Sequence, residues 1–279
     1  MRGGASMNRS WAVGVGRRAI LRGAGLVGMG AGLAGAAGVY EVETQRKSDR
    51  AVDTLAAAAT EANRSRHVGQ AQVVVHWSAA TDKPLVALTF DDGPRPEWTP
   101  MVLDTLDRYD VPATFFVVGQ RLRAYASLLR GRIARHEVAN HTWDHGDLAQ
   151  RSPAQAYDEM SRAHDVIVAA TGKAPTLVRP PYGHLGGSTL MAAARLNYQV
   201  VLWSLQMVES RFPNDPAGLA RYILQRIVPG TILLAHDTGT TDRLVALRGL
   251  PDLITGLRER GYEFRTVSDL LADVPQRAT

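Results

Sequence analysis

The sequence predicts an α/β fold built on a largely parallel sheet, either open or closed into a barrel. From residue 84 onward, short apolar runs alternate with longer amphipathic stretches, a pattern typical of strands that are each followed by a helix. Helices that cross over a sheet in this way leave successive strands parallel. The 279 residues are enough for one large domain with a full core.

Four apolar runs are predicted as strands and five amphipathic stretches as helices. The strand candidates are short and bounded by polar or turn residues: 85–90, 113–118, 200–204 and 231–235. The helix candidates repeat apolar residues at three-residue and four-residue spacing, and three of them begin with a proline: 100–109, 153–171, 187–196, 216–227 and 250–260.

The net charge of +5 comes from the amino-terminal part of the chain. Residues 1–50 hold eight Lys and Arg against three Asp and Glu, and the remaining residues carry 24 charges of each sign. The neutral remainder lacks the basic footprint of a nucleic-acid-binding domain, so no nucleic-acid partner is expected. The chain has no cysteine, which excludes disulfides, thiolate metal sites and a cysteine nucleophile.

Residues 1–40 have the layout of an export signal. Arg17, Arg18 and Arg22 precede seventeen uncharged residues that are rich in glycine and alanine. This arrangement resembles a twin-arginine signal, and the small residues 34–36 offer a cleavage site. We therefore expect export by the twin-arginine route, to the cell envelope or the medium.

The export segment has an alternative reading, in which it stays uncleaved and anchors the protein in the membrane. Such an anchor would be the protein's only contact with a membrane. Residues 41–83 are predicted as a stem, and residues 84–279 as a single folded domain.

Polar side chains follow three of the predicted strands. Asp91 and Asp92 come directly after the first run, residues 206–209 follow the run VVLWS, and His236 and Asp237 end the run TILLAHD. The carboxyl ends of parallel strands meet at one edge of a sheet, where α/β proteins carry their active sites. The sequence therefore predicts a polar site at this edge.

Two of the polar motifs suggest a metal. Asp91 and Asp92 repel each other, and burying them is costly unless a cation or several donors lie nearby; a solvated turn is the alternative. His141 and His145 in HTWDH are four residues apart, a helical spacing that can present both imidazoles on one face. Two imidazoles and a carboxylate suit zinc and similar ions, whereas an incidental exposed pair is the alternative.

Two further motifs contain candidate site residues. Arg179 precedes Pro180, Pro181 and Tyr182, and the prolines exclude helix from the residues before them, which predicts a rigid loop. A plain surface turn is the alternative. His236 is either a site residue or a hydrogen-bonded core histidine.

Together these motifs resemble those of the polysaccharide deacetylases of the NodB-homology type, carbohydrate esterase family four. The matching stretches are TFDDGP, HTWDH, RPPYG and LLAHD, with lesser matches at 112–119 and 136–142, and the resemblance covers about residues 84–272. It implies a distorted (β/α) barrel with fewer strands than the eight-stranded form, in a single catalytic domain.

The resemblance also implies a metal and a base. Asp92, His141 and His145 would hold a divalent metal, Zn²⁺ in the first place, with Co²⁺, Ni²⁺ or Mn²⁺ as alternatives. Asp91 would be the general base that takes a proton from water. Such a site would remove acetyl groups, N-linked and also O-linked, from an extracellular or cell-wall polysaccharide such as peptidoglycan or a chitin-like chain. The protein is expected to act as a monomer.

The remaining roles follow from the same resemblance. His236 would be the general acid, and Arg179 would orient Asp91. The backbone N–H of Tyr182 would stabilise an oxyanion, with Pro180 in the same substrate-binding loop, and Leu234 would contact the acetyl methyl group.

One stretch departs from the family pattern. Where the family typically reads Asp-x-x-Asp-Trp, this chain has Gln206, Glu209 and Ser210. Glu209 keeps a carboxylate where the family supports the acid histidine, but Gln206 has no charge and Ser210 has no aromatic ring. Two alternatives therefore remain, a glycosidase that uses Asp91 with a partner carboxylate and a non-catalytic carbohydrate-binding relative. Chelator resistance would favour the glycosidase, and metal binding without acetate release would favour the binding protein.

Overall fold

The strand Leu85–Asp91 (β2) lies within a parallel sheet in the computed structural model, which describes residues 72–273. Within these residues the sheet has nine strands. The others are β1 Val75–His76, β3 Thr114–Val117, β4 Glu137–Asn140, β5 Leu177–Val178, β6 Gln199–Val201, β7 Leu205–Gln206, β8 Thr231–His236 and β9 Glu263–Arg265. The predicted export signal, and the stem up to residue 71, lie outside the described residues.

Helices connect most of the strands. They are α1 Thr99–Tyr109, α2 Gly119–Tyr125, α3 Pro153–Thr171, α4 Gly187–Arg195, α5 Pro216–Leu224, α6 Leu244–Glu259 and α7 Val267–Ala272. The longest, α3, begins at a capping box in which Ser152 and Gln155 satisfy each other's backbone N–H groups. None of the helices between residues 72 and 273 combines the length and the apolarity needed to cross a bilayer.

The sheet is curled, as the predicted barrel requires. Its strands follow the order β1, β6, β5, β4, β3, β2, β8, β7, and β9 pairs with the first half of β2. An antiparallel bridge joins Ser78, just after β1, to Thr231 at the start of β8. This bridge brings the two sides of the sheet together, so that its strands enclose an interior.

The predicted elements are all present, with shifted ends and additional strands. Helix α6 begins at Leu244 instead of residue 250 and contains Pro251 within its span. The sheet contains more strands than the four apolar runs indicated, because the strands that carried no sequence signal are two residues long or contain charged side chains. The predicted stem over 41–83 overlaps the sheet at its end, since Val75 and His76 pair with β6.

Side chains along the strands alternate between two cores, as the two-residue period of a strand dictates. The larger core packs the outward side chains of the strands against α1, α5 and α6 and includes Val86, Leu88, Phe90, Val102, Leu219 and Leu253. The smaller core packs the inward side chains and includes Leu85, Ala87, Phe116, Ala139, Leu177, Val201 and Ile232. Helix α7 adds Val267 and Leu270 to this smaller core and so fills the interior from the side of the strand starts.

A buried histidine at the start of β4 should make stability depend on pH. His136 accepts the N–H of Ala113 at its Nδ1 (3.1 Å) and packs edge-on against Phe115. Burial lowers the pKa of His136 from 6.5 to about 4. Below pH 6.5 the unfolded chain therefore binds a proton that the folded chain does not, and stability falls as the pH drops towards 4.

We expect the variant His136→Asn to remove this acid-dependent loss, because the Asn side-chain oxygen can still accept the Ala113 N–H. Urea unfolding of both proteins across this range should show a loss smaller by about 3 kcal/mol in the variant. Above about pH 7.5 the difference between the two proteins should stay constant, which serves as the internal control. Parallel curves from pH 8 to 4 would contradict the prediction.

Candidate active site

The inward side chains of the strands continue beyond the smaller core to the strand ends. Every second residue of a strand faces the interior, and beyond the smaller core these inward positions are mostly polar. On β2, β4, β5 and β8, or directly after them, they are Asp91, His141, Arg179, Leu234 and His236. The register of the sheet places Asp91 directly opposite His236 on the neighbouring strand. The folded sheet thus brings together residues that lie up to 145 positions apart in the sequence.

Asp91 is held by a buried arginine. Its carboxylate oxygen Oδ1 lies 2.6 Å from Nη1 of Arg179, and the two side chains are 4% and 0% exposed. The guanidinium also donates to the hydroxyl of Thr89 and to the carbonyl oxygens of Val201 and Leu202, at 2.8 to 3.0 Å. These contacts fix the position of the guanidinium, which contacts one oxygen of the Asp91 carboxylate.

Asp92 lies between two imidazoles. Its Oδ1 atom is 2.8 Å from Nε2 of His145 and 3.4 Å from Nε2 of His141, and one ligand atom from each of the three residues lies within 4.8 Å of the others. The helical arrangement that the four-residue spacing of the two histidines suggested is not the one found. His141 directly follows β4, and the loop after it reaches His145 through left-handed backbone at Thr142 and His145.

The donor set fits a divalent cation. Nδ1 of His141 lies 2.7 Å from the carbonyl oxygen of Arg179; a carbonyl can only accept, so the ring proton sits on Nδ1 and Nε2 faces Asp92. The buried Oδ1 of Asp92 has no hydrogen bond with acceptable geometry among the described residues, despite its short distance to His145. Two imidazoles and one carboxylate are the ligands that zinc and related ions prefer.

The charges at this site favour a cation. Burial opposes ionisation of Asp92, but the two imidazoles outweigh it, and the pKa of the carboxyl lies well below its usual range. Burial likewise opposes charge on His141, but Asp91 and Asp92 raise its pKa above the ordinary value. The two carboxylates therefore attract positive charge into the space beside them.

Two residues that sequence reasoning missed hold the histidine loop. Asn140 accepts the N–H of Thr142 at 2.8 Å, and buried Glu159 on α3 accepts the N–H groups of Trp143 and Asp144 at 3.2 and 3.1 Å. Glu159 lies in an amphipathic stretch with no motif around it, so only the fold reveals its contact with the loop.

Tyr182 stands at the outer rim of the site. The residue is 61% exposed, and its ring packs edge-on against His145, with 5.0 Å between the ring centres. The loop turns sharply here, with left-handed backbone at Tyr182 and Gly183. A Cβ atom at Gly183 would lie 2.8 Å from the ring of Trp203, so glycine at this position allows the loop to pack against that ring. Pro180 precedes the turn and is buried.

His236 faces the same space from β8, two residues beyond buried Leu234. Burial lowers the pKa of His236, and the charge of Arg243 adds to this effect, outweighing Asp91 and Asp92. The next residue, Asp237, is buried and accepts a hydrogen bond from Thr99 at 2.5 Å; burial raises its pKa to about 7.

The divergent stretch borders the site on the other side. Trp203 donates its indole N–H to Gln206 at 3.0 Å, and Ser210 is exposed. Burial raises the pKa of Glu209, and the charged groups that act on it are Arg243 and Asp242. No hydrogen bond joins Glu209 to His236 in the described structure, so support of the histidine by Glu209 stays a prediction.

Comparison with known proteins assigns the chain to a family. The sequence model described as "Polysaccharide deacetylase" matches residues 78–201. A chitooligosaccharide deacetylase of Bradyrhizobium sp. (strain ANU 289) is 38% identical over 205 residues, which cover 66% of this chain and 90% of that protein. This chain belongs to the polysaccharide deacetylase family.

Other relatives of this chain are named as peptidoglycan deacetylases. The peptidoglycan-N-acetylglucosamine deacetylase PgdA of Listeria monocytogenes serotype 1/2a is 34% identical over 190 residues, which cover 67% of this chain. The match spans only 39% of PgdA. The Bc1960 peptidoglycan N-acetylglucosamine deacetylase has 29% sequence identity to this chain. Its crystal structure superimposes on this structure with a TM-score of 0.67, and the match covers 73% of this chain and 95% of that one. The curled parallel sheet is therefore the fold of the family.

Proposed function

We propose that this protein is a metal-dependent hydrolase that removes acetyl groups from an acetylated polysaccharide. The observation that carries the proposal is the convergence of Asp91, Asp92, His141, His145 and His236 at one end of the sheet. The named activities of the relatives agree with it. A glycosidase would leave the two histidines and Arg179 without a task.

Asp92, His141 and His145 would hold the metal, and we propose zinc. A bound divalent ion supplies Lewis acidity, which polarises a carbonyl oxygen and lowers the pKa of water towards 7. The hydrogen bond from Nδ1 of His141 to the carbonyl oxygen of Arg179 fixes the orientation of this imidazole ligand. With no cysteine in the chain, the ligands are nitrogen and oxygen atoms.

The remaining site residues would divide the proton transfers. Asp91 takes the proton of the attacking water, with Arg179 fixing the orientation of its carboxylate. The backbone N–H of Tyr182 donates to the oxyanion that forms when water attacks the amide. His236, which faces the same space two residues beyond Leu234, would give a proton to the departing amine.

The acetyl group and the sugar would occupy the rim. Leu234 lies on the inward side of β8, two residues before His236, and would contact the acetyl methyl. Tyr182 and Pro180 would line the sugar path. We propose an N-acetylated cell-wall glycan such as peptidoglycan or a chitin-like chain as the substrate, with O-acetyl groups as a second target, and a protein that acts as a monomer.

We propose that the protein meets its polymer outside the cytoplasm. The twin-arginine pattern within residues 1–40 supports export, with the stem joining this segment to the catalytic domain. A polymer of the cell wall lies where such a signal would deliver the protein.

Acetate release tests the proposal. Purified protein should release acetate from N-acetylated peptidoglycan or chitin oligomers, and a chelator should abolish the release until Zn²⁺ is restored. A parallel panel of O-acetylated xylan measures the second target. Release that persists after complete metal removal would contradict the proposal, and zinc binding without acetate release from any of these glycans would favour the non-catalytic alternative.

A further inference from the structure

Arg243 brings a positive charge to the metal-ligand aspartate that no sequence motif predicted. Its Nη1 lies 3.3 Å from Oδ2 of Asp92, and the two side chains are 32% and 12% exposed. The same nitrogen donates to the carbonyl oxygen of Thr238 at 3.3 Å. Asp92 thus has different neighbours at its two oxygens, the imidazoles at Oδ1 and the guanidinium at Oδ2.

The backbone around Gly239 holds the Arg243 side chain in place. Arg243 ends a short turn, Thr241–Arg243, that leads into α6. The stem of the side chain lies against Gly239, where an added Cβ would be 2.6 Å from Cδ of Arg243, and the φ of Gly239 is +130°. The close approach and the backbone conformation both require glycine. The guanidinium is therefore held near Asp92 by backbone contacts as well as by charge.

The backbone of Asp92 is fixed in addition. Its φ is 76°, a left-handed conformation, and its carbonyl oxygen accepts a hydrogen bond from Arg121 on α2. With the backbone fixed, rotation of the carboxylate is the main freedom left to the residue, and the contact of Arg243 with Oδ2 restricts that rotation.

We infer that Arg243 is a positioning residue that occupies Oδ2 of Asp92 and so presents Oδ1 alone to the metal. The inference rests on the proposed metal site and not on the reaction. Groups that orient a metal ligand from behind typically raise metal affinity 10-fold to 100-fold. Electrostatic repulsion between the guanidinium and the metal would instead lower the metal affinity. Whether Arg243→Ala weakens or strengthens zinc binding therefore distinguishes positioning of Asp92 from repulsion.

Zinc affinity measured on the full chain tests the inference. Arg243→Ala should bind Zn²⁺ about 10-fold to 100-fold more weakly in competition with a chromophoric chelator. The Zn²⁺ affinity of Arg243→Lys should lie between those of the wild type and Arg243→Ala, since an ammonium group can still donate to Oδ2. Arg248→Ala is the matched control, because Arg248 is exposed on α6, the helix that follows Arg243, and its loss should leave the affinity unchanged.

A second readout reports on geometry. With Co²⁺ in place of Zn²⁺, Arg243→Ala should change the visible absorption spectrum of the bound metal, whereas Arg248→Ala should not. Unchanged or tighter Zn²⁺ binding by Arg243→Ala would overturn the inference. If Arg243→Ala does not fold, the Zn²⁺ affinity of Arg243→Lys is the test. An Arg243→Lys affinity equal to that of the wild type would also overturn the inference. Failure of the wild-type protein to release acetate would contradict the proposed function while leaving this comparison intact.

Discussion

Replacement of Asp91 by asparagine should lower acetate release at least about 100-fold while the protein still binds zinc. Asparagine keeps the shape of the side chain, and its oxygen can still accept from Arg179, which lies 2.6 Å from the present carboxylate. The amide cannot take a proton from water, so the general base is lost. Steady-state rates on a chitin oligomer, together with zinc titration of the same sample, measure both effects.

Asp92→Asn is the matched control, because it makes the same chemical change at the adjacent residue. It removes the charge from the only carboxylate of the three-residue ligand set, so we expect the loss of zinc affinity as well as of activity. Equal acetate release by wild type and Asp91→Asn would exclude Asp91 as the base. Equal loss of zinc by both variants would show that the two aspartates do not have separate tasks.

Replacement of Arg179 by methionine should cost about 3 to 5 kcal/mol of folding free energy. The arginine is fully buried, and its loss leaves the buried Asp91 carboxylate without its cationic partner. The carbonyl oxygens of Val201 and Leu202 lose donors as well. Urea unfolding at pH 7 of the metal-free proteins measures the difference.

The double variant Arg179→Met/Asp91→Asn separates charge from packing. If the unpaired carboxylate causes most of the loss, the double variant should be more stable than Arg179→Met alone, because it buries no charge. Strict additivity of the two single effects would contradict that explanation and assign the loss to the hydrogen bonds and packing of Arg179.

Much of the site could be read from the sequence because the chemistry lies at strand ends. A two-residue period fixes which side chains face inward, so that Asp91 and His236 follow directly from the apolar runs that precede them. The motif residues around Arg179 and Tyr182 also lie where the sequence predicted a rigid loop, since the prolines restrict the backbone before them.

The failures have physical causes as well. Four-residue spacing indicated a helix for His141 and His145, but hydrogen bonds to Asn140 and Glu159 hold that segment in a loop. Glu159 and Arg243 reach the site from segments without a motif, and only the folded chain brings them near. Short strands such as Leu177–Val178 take their conformation from neighbouring strands and carry almost no local signal.

The small core under the site has a consequence for how a long glycan can be processed. Val267 and Leu270 of α7 close the interior at the end opposite the polar residues, and both are fully buried. Among the described residues the barrel is thus filled at this end, and we expect a glycan substrate to lie across the opposite end, where the polar residues are. Binding of this kind needs no free chain end, so we expect the enzyme to act on units in the middle of a polymer as well as on terminal ones.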